Sequence, residues 1–296
     1  MGGNGVSCAN LPPEPVHLPC EFPYYQEVSG LRAPDVPKSS TLQRAAREAG
    51  ELLREGYQAL GTIDFECKGA SDFVTKFDRA AEQVIIDTVR SVHPEIGFLG
   101  EETGATPAQD GDVTVIIDPL DGTNNFLHRV PHFSVSIAVR EHSQLTHGVV
   151  YQPLLDEMLW AVHGQGAHLG SRRIATPPAR PMTEMLLATC LPYHAKGDCS
   201  ICLGQLTALM PAVAGIRSPG SAALELAYTG LGRFDAFWSQ GAKLDPWDIA
   251  AGIVFAREAG LVVTDFEGNA NPPEWRSLLV AHAERHEALL HTLRAC

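Results

Sequence analysis

The sequence predicts a layered protein with an α+β half over residues 41–182 and an α/β half over residues 183–296. Runs at 133–141, 146–152 and 157–162 are strand-like and spaced as an antiparallel meander. From about residue 183 the pattern becomes strands alternating with helical stripes, which stacks helices on a sheet. Two amphipathic helices precede the meander and supply its cover.

The elements follow in order. Residues 1–40 form a Pro-rich extension, with seven prolines before residue 39 and little periodicity, and read as an extended arm. A helix is expected over 40–60, opened by a capping box of Ser40 and Gln43. Its stripe is Leu42, Ala45, Ala46, Ala49, Leu52, Leu53, Tyr57 and Leu60. A second helix runs from Lys76 to Val92, with Phe77, Ala80, Ala81, Val84, Ile85 and Val89 inward. Strands are expected at 96–99 and 113–118, before the meander. The second half carries strands near 185–190, 234–238, 261–265 and 277–281, with helices near 200–210, 221–231 and 247–259. There is no internal repeat and no low-complexity tract.

Bulk properties exclude several function classes. The longest apolar runs are strand-sized, so no membrane span is expected. A formal charge of −13 disfavours nucleic acid as a partner. No basic region precedes an apolar stretch at the start, and MGGNGVS misses the myristoylation pattern because Val6 stands where Ser or Thr is needed. Seven scattered cysteines read as reduced thiols of a cytoplasmic protein. Cys199 and Cys202 form a CxxC without a second pair, and His282 with His286 reads as a solvated helix face.

The chemistry gathers at strand ends. In 115-VIIDPLDGTNNF-126, Asp118 ends an apolar strand and Asp121 lies in the turn behind it. Glu101 and Glu102 follow the neighbouring strand. Clustered acids repel one another unless a cation sits among them, and hard oxygen ligands suit Mg²⁺ better than Zn²⁺. The Leu120 carbonyl can add a neutral ligand. Gly122 permits close backbone approach, Thr123 offers a hydroxyl, and exposed N–H groups at a helix start can hold a phosphate oxygen. Bound Mg²⁺ thus reconciles an acidic protein with an anionic substrate. Asp248, in 245-DPWDIAAG-252, reads locally as an N-cap on a tightly packed helix, and Asp78 opens another helix behind Thr75.

Taken together, D-F-V-T-x-x-D (72–78), G-E-E (100–102), D-P-L-D-G-T-N-N-F (118–126), G-S-A-A-L (220–224) and W-D-I-A-A-G (247–252) resemble the inositol monophosphatase family of lithium-sensitive, Mg²⁺-dependent phosphatases. The resemblance covers about residues 41–290. It implies an αβαβα sandwich of the sugar-phosphatase type, with two to three Mg²⁺ ions in the site between the halves. Glu101, Asp118 and the Leu120 carbonyl resemble the ligands of the first metal. Asp118, Asp121 and Asp248 resemble those of the second. Gly122 and Thr123 match the phosphate turn, and Lys68 matches a lysine near the phosphate. Gly220, Ser221 and Ala222 match the substrate wall, where Leu120, Asp121 and Asp248 also face substrate. Thr123 and Asp78 match the pair that aligns a metal-activated water for in-line attack on phosphorus, with Glu101 as its catalytic acid neighbour. The implied activity is hydrolysis of a small phosphorylated alcohol, foremost inositol 1-phosphate, by a cytoplasmic homodimer.

One segment departs from the family. Before the W-D motif an acid is expected on the sugar hydroxyls, but 237-FWSQGAKLDPWD-248 has Ser239 and Gln240 there, is about two residues longer, and offers Asp245 later. Histidinol phosphate, fructose 1,6-bisphosphate and 3′-phosphoadenosine 5′-phosphate are therefore alternative substrates. A regulatory binding protein of the transcription machinery is the alternative of another class.

Overall fold

The computed structural model describes residues 36–59, 65–69, 72–109, 111–193, 197–272 and 274–296, with 65–69 and 72–75 described by backbone alone. The Pro-rich extension before residue 36, Leu60 of the first stripe and the side chain of Lys68 lie outside the described residues.

Helix α1 (Ser39–Gln58) forms on the expected stripe, and Leu42, Ala45, Ala46, Ala49 and Leu53 are fully buried. Its start corrects the capping-box reading. Lys38 is the N-cap, no side chain caps the helix, and Ser40 already lies in its first turn. Packing of the apolar stripe supplies the stability that a cap would otherwise add. β1 (Phe65–Gly69) and β2 (Asp72–Thr75) form an antiparallel pair that leads into α2 (Lys76–Arg90). That helix stops two residues short of Val92, which is exposed.

The large sheet comprises β3 (Gly97–Gly100), β4 (Gly104–Thr106), β5 (Val113–Asp121), β6 (Ser134–Glu141), β7 (Gln144–Gln152), β8 (Glu157–Val162), β9 (Gly166–Leu169) and β10 (Arg172–Arg173). Short helix α3 (Thr123–Leu127) links β5 to β6. The order is β10-β9-β8-β7-β6-β5-β3-β4, and only the β3–β5 pairing in it is parallel. The meander is thus β6–β7–β8, as its spacing predicts.

The second half builds β11 (Leu186–Thr189), α4 (Cys199–Leu209), β12 (Gly215–Arg217), α5 (Ala222–Leu231), β13 (Ala236–Gln240), α6 (Pro246–Glu258), β14 (Val262–Thr264), β15 (Ser277–Ala281) and α7 (Ala283–Arg294). Its sheet runs β12-β11-β13-β15-β14, with β11 parallel to both neighbours. Helices α1 and α2 cover one face of the large sheet, and α5 and α6 fill the space between the two sheets. Helices α4 and α7 close the outer face of the small sheet, which completes the αβαβα sandwich.

The central layer explains the composition of its helices. A helix enclosed on both sides is apolar all round, and α6 buries every residue from Ile249 to Ala256. Small residues set how closely it packs. A Cβ on Gly148 would stand 2.5 Å from the Ala251 carbonyl oxygen, and one on Gly252 would stand 2.4 Å from Leu226 Cβ. The outer layer corrects the reading of the two histidines. His282 is the N-cap of α7 and accepts from the Glu284 N–H, while His286 is buried with Nε2 3.0 Å from Thr264 Oγ1. Both positions serve packing or capping, not a solvated face.

The α5–α6 contact yields a direct test. Gly252→Val should cost about 1–3 kcal/mol, because overpacking at a close helix crossing cannot relax into open space. Urea unfolding should show a lowered midpoint with an unchanged slope, and an unchanged midpoint would mean that the two helices separate freely.

Candidate active site

Residues three apart on a regular strand face opposite sides of a sheet. β5 breaks this rule where it matters. Asp118 pairs opposite Ser136 and Asp121 opposite Ser134, so three steps on β5 match two on β6. Pro119 has no N–H to give to a ladder, and the resulting bulge brings both aspartates to one side. Asp248 reaches the same place from the first turn of α6. One carboxylate oxygen from each of Asp118, Asp121 and Asp248 lies within 4.8 Å of the other two.

Each acid is held separately. Asp118 Oδ1 accepts the Leu120 N–H at 3.0 Å, and its carboxyl shares a hydrogen bond with Glu101. Asp121 sits against the start of α5, accepting from Ser221 Oγ at 2.6 Å, Ala223 N–H at 2.9 Å and Ala222 N–H at 3.2 Å. Asp248 Oδ2 accepts the Asp245 N–H at 2.5 Å. Asp245 is therefore the N-cap of α6 and Asp248 its third residue, which corrects the reading of Asp248 as the cap. Ser136 Oγ donates to the Trp247 carbonyl at 3.0 Å and ties β6 to the start of that helix.

Burial and mutual repulsion dominate the electrostatics. Burial, then the charges of Glu101, Asp121 and Asp248, push the Asp118 carboxyl well above its ordinary range. Burial and then Asp121 do the same to Asp248. Burial lifts Asp121 to about 6 despite the donors that favour its charged form. Such buried oxygen ligands fit a hard divalent cation, which would neutralise them together.

The turn beyond the bulge is built for close approach. Gly122 has φ +100°, and a Cβ there would stand 3.1 Å from the Gly220 carbonyl oxygen and 3.2 Å from that of His132. Asn125 Nδ2 donates to the carbonyls of His132 at 2.7 Å and Pro219 at 2.8 Å, binding the turn to the second half. Thr123 Oγ1 lies 3.1 Å from both Asp78 Oδ1 and the Leu120 carbonyl oxygen. The two expected members of the water-aligning pair are thus in hydrogen-bond contact across 45 residues of chain.

Other expected residues are placed less directly. Lys68 belongs to β1, with its side chain outside the described residues. Gly220 donates its N–H to Glu225 Oε1 at 2.7 Å, while Ser221 and Ala222 serve Asp121. Strand alternation separates Ser239 from Gln240. Ser239 shares the face of Phe237, toward the α5–α6 layer, whereas Gln240 accepts from Gln205 Nε2 on α4. Sequence reading missed the buried acids Glu82 and Glu225, and the serines Ser134 and Ser136. Their one visible signal was a polar residue standing in phase with an apolar stripe or strand.

The CxxC gives no comparable cluster. Cys199 is exposed and Cys202 buried in the first turn of α4, and Cys190, Cys199, Cys202 and Cys296 are all free thiols.

Residues 37–296 match the family described as the inositol monophosphatase family. The chain is 41% identical over 258 residues to the Nus factor SuhB of Escherichia coli, covering 87% of this chain and 96% of that one. It is 38% identical over 254 residues to an inositol-1-monophosphatase of Caulobacter vibrioides, covering 85% and 98%. Among solved structures, the extragenic suppressor protein SuhB of Bartonella henselae superposes with TM-score 0.82 at 36% identity, over 86% of this chain and 97% of that one. The IMPase of Thermotoga maritima gives 0.76 at 33% identity, over 86% and 95%. Fold, strand-end acids and sequence agree, and the chain belongs to the inositol monophosphatase family.

Proposed function

We propose that the chain is a Mg²⁺-dependent phosphomonoesterase acting on small phosphorylated alcohols, with inositol 1-phosphate among its substrates. The observation that carries this reading is the convergence of Asp118, Asp121 and Asp248 beside the Thr123–Asp78 contact. Glu101, Asp118, Asp121, Asp248 and the Leu120 carbonyl would hold two to three Mg²⁺ ions. Bound Mg²⁺ supplies Lewis acidity, a more acidic water and neutralisation of the phosphoryl oxygens. Asp78 accepts from Thr123, and that hydroxyl orients the attacking water for in-line displacement. The Gly122–Thr123 turn donates to the phosphate. Gly220, Ser221 and Ala222 form the wall beside the leaving alcohol.

Three supporting points concern setting and partners. Among the described residues no helix is long and apolar enough to cross a membrane, and the free thiols fit a cytoplasmic protein. Helix α4 is apolar, yet it and its C-cap leave Ile201, Leu203 and Met210 exposed. That surface suits a homodimer, which sedimentation of the wild type checks. The similarity to proteins named Nus factor SuhB favours a second role, regulatory binding to the transcription machinery. Co-purification with RNA polymerase by a turnover-dead variant tests it separately from catalysis.

Asp118→Asn should abolish nearly all phosphate release while leaving the fold intact. The same change should stabilise the metal-stripped protein. Raised carboxyl groups hold protons in the folded state that the unfolded chain has released, so stability falls as pH rises. For Asp121 that window runs from 3.8 to about 6, and Asp118 and Asp248 are shifted in the same direction. Thermal melts in chelator should decline across it in the wild type and less in Asp118→Asn. Full activity of that variant at saturating Mg²⁺ would exclude the assignment.

Thr123→Ala and Asp78→Asn should each lower kcat, and the double variant should lose little more, because contacting residues act as a unit. Strictly additive losses in single-turnover assays would show that the pair does not work together.

Substrate preference gives the last test of this reading. Ser239 stands where the family expects an acid, on the face of β13 toward the α5–α6 layer, and a missing charge-assisted hydrogen bond costs roughly 1.5–3 kcal/mol. Inositol 1-phosphate should therefore be cleaved without large preference over other monoesters, and Ser239→Glu should raise that preference. Phosphate release across inositol phosphates, histidinol phosphate, sugar bisphosphates and phosphoadenosine phosphate decides it. Strong wild-type selectivity for inositol 1-phosphate, unchanged by substitution at Ser239 and Asp245, would contradict it.

A further inference from the structure

We infer that Glu82 is a positioning residue that sets the cation affinity of the Glu101 side of the site, an inference that rests on the metal-dependent reading above. Glu82 lies one helical turn after Asp78 on α2 and is fully buried. A carboxylate in that position is tolerated only when hydrogen bonds replace its lost water. Its partners are backbone groups of the turn that carries Glu101. Oε2 accepts the Glu102 N–H at 3.0 Å, and Oε1 accepts the Thr103 N–H at 2.8 Å. The Glu101 N–H is held from the other side by the Ile117 carbonyl at 3.1 Å. Three consecutive amides are therefore fixed, one by β5 and two by a single buried side chain.

Gly100 completes the clamp. A Cβ at that position would stand 2.5 Å from Glu82 Oε1, so only glycine leaves room for the carboxylate against the end of β3. Glu101 leaves this pinned turn with its side chain on Asp118. The same helix presents Asp78 to Thr123 Oγ1. Residues four apart share one face of a helix, so α2 holds the water-aligning pair and the Glu101 turn in one rigid register. Glu82 touches no reacting atom in this scheme. It acts through the backbone of Glu102 and Thr103.

The test separates positioning from simple structural support. Mg²⁺ alone is titrated calorimetrically into the metal-stripped full chain, with circular dichroism and melts in chelator alongside. Glu82→Ala should weaken the tightest Mg²⁺ binding about tenfold, the usual size for losing a group that orients a metal ligand. Glu82→Gln, whose amide can accept only one of the two N–H groups, should fall between. Gly100→Ala, which displaces the carboxylate from the other side, should weaken binding in the same direction. At saturating Mg²⁺, KM for p-nitrophenyl phosphate should stay within about twofold of wild type, as expected when only the metal side loosens. In a Glu101→Gln background, Glu82→Gln should add no further loss, because coupled residues are not additive.

Should Glu82→Ala not fold, Glu82→Gln and Gly100→Ala decide the matter. A folded Glu82→Gln with wild-type Mg²⁺ binding would overturn the inference, as would an equal loss in the Glu101→Gln background. Those results leave the phosphatase reading standing. A wild-type chain that binds no Mg²⁺ and releases no phosphate would overturn both.

Discussion

The interaction on which the site depends is repulsion among carboxylates that the fold holds together out of water. Asp118 is almost fully buried, Asp121 and Asp248 lie within 4.8 Å of it by their oxygens, and Glu101 shares its hydrogen bond. A chain under no other demand would separate these charges, since paired anions at low dielectric destabilise each other strongly. The surrounding structure prevents separation at each point. The β5 bulge fixes two acids, the capping box of α6 fixes a third, and the turn after β3 fixes the fourth. Strain of this sort persists only where neighbours over-determine it, and the three aspartates so held could together hold a cation.

The same requirement explains how the two halves are joined. Asp121 belongs to the large sheet, yet its donors are Ser221, Ala222 and Ala223 at the start of α5. Asn125 spans the same boundary to Pro219, and Ser136 spans it to Trp247. A helix start offers free N–H groups and a partial positive charge, so it is the natural place to hold an anion. Close packing of α5 and α6 through Gly252 keeps both helix starts at the ends of the β5 and β6 strands. Core packing and site geometry are therefore one problem here, solved by small residues in the middle layer.

Much of this was legible from sequence because the site is written in short local motifs. Asp118, Asp121, Gly122 and Thr123 are near neighbours, and their chemistry is evident from residue type alone. Asp78 and Asp248 needed the motif order, since each read by itself looks like a helix cap. Glu82 was missed for a physical reason. On an amphipathic helix an isolated Glu is usually solvated, and only its phase with Ile85, Ile86 and Val89 marks it as buried. His286 follows the same pattern, since its phase with Leu289 and Leu290, and not its spacing from His282, marks it as buried. Ser40 failed as a cap because capping residues are defined by backbone shape, and Lys38 is where the chain turns extended.

The segment before α6 shows why substrate choice is harder to read than chemistry. In the sequence Ser239 and Gln240 stand where an acid is expected, and Asp245 is a late substitute for it. The sheet distinguishes them at once, since adjacent strand residues face opposite layers. Gln240 is committed to Gln205 in the α4 layer, and Asp245 is committed to capping α6 with Lys243 3.6 Å from its carboxylate. Ser239 alone keeps the side toward the α5–α6 layer, where it is buried. In the proposed reaction the acids and the Gly122 turn answer to a cation and a phosphate that every substrate shares. The alcohol side has no such common partner, and only the fold reveals whether a residue there serves capping, packing or recognition.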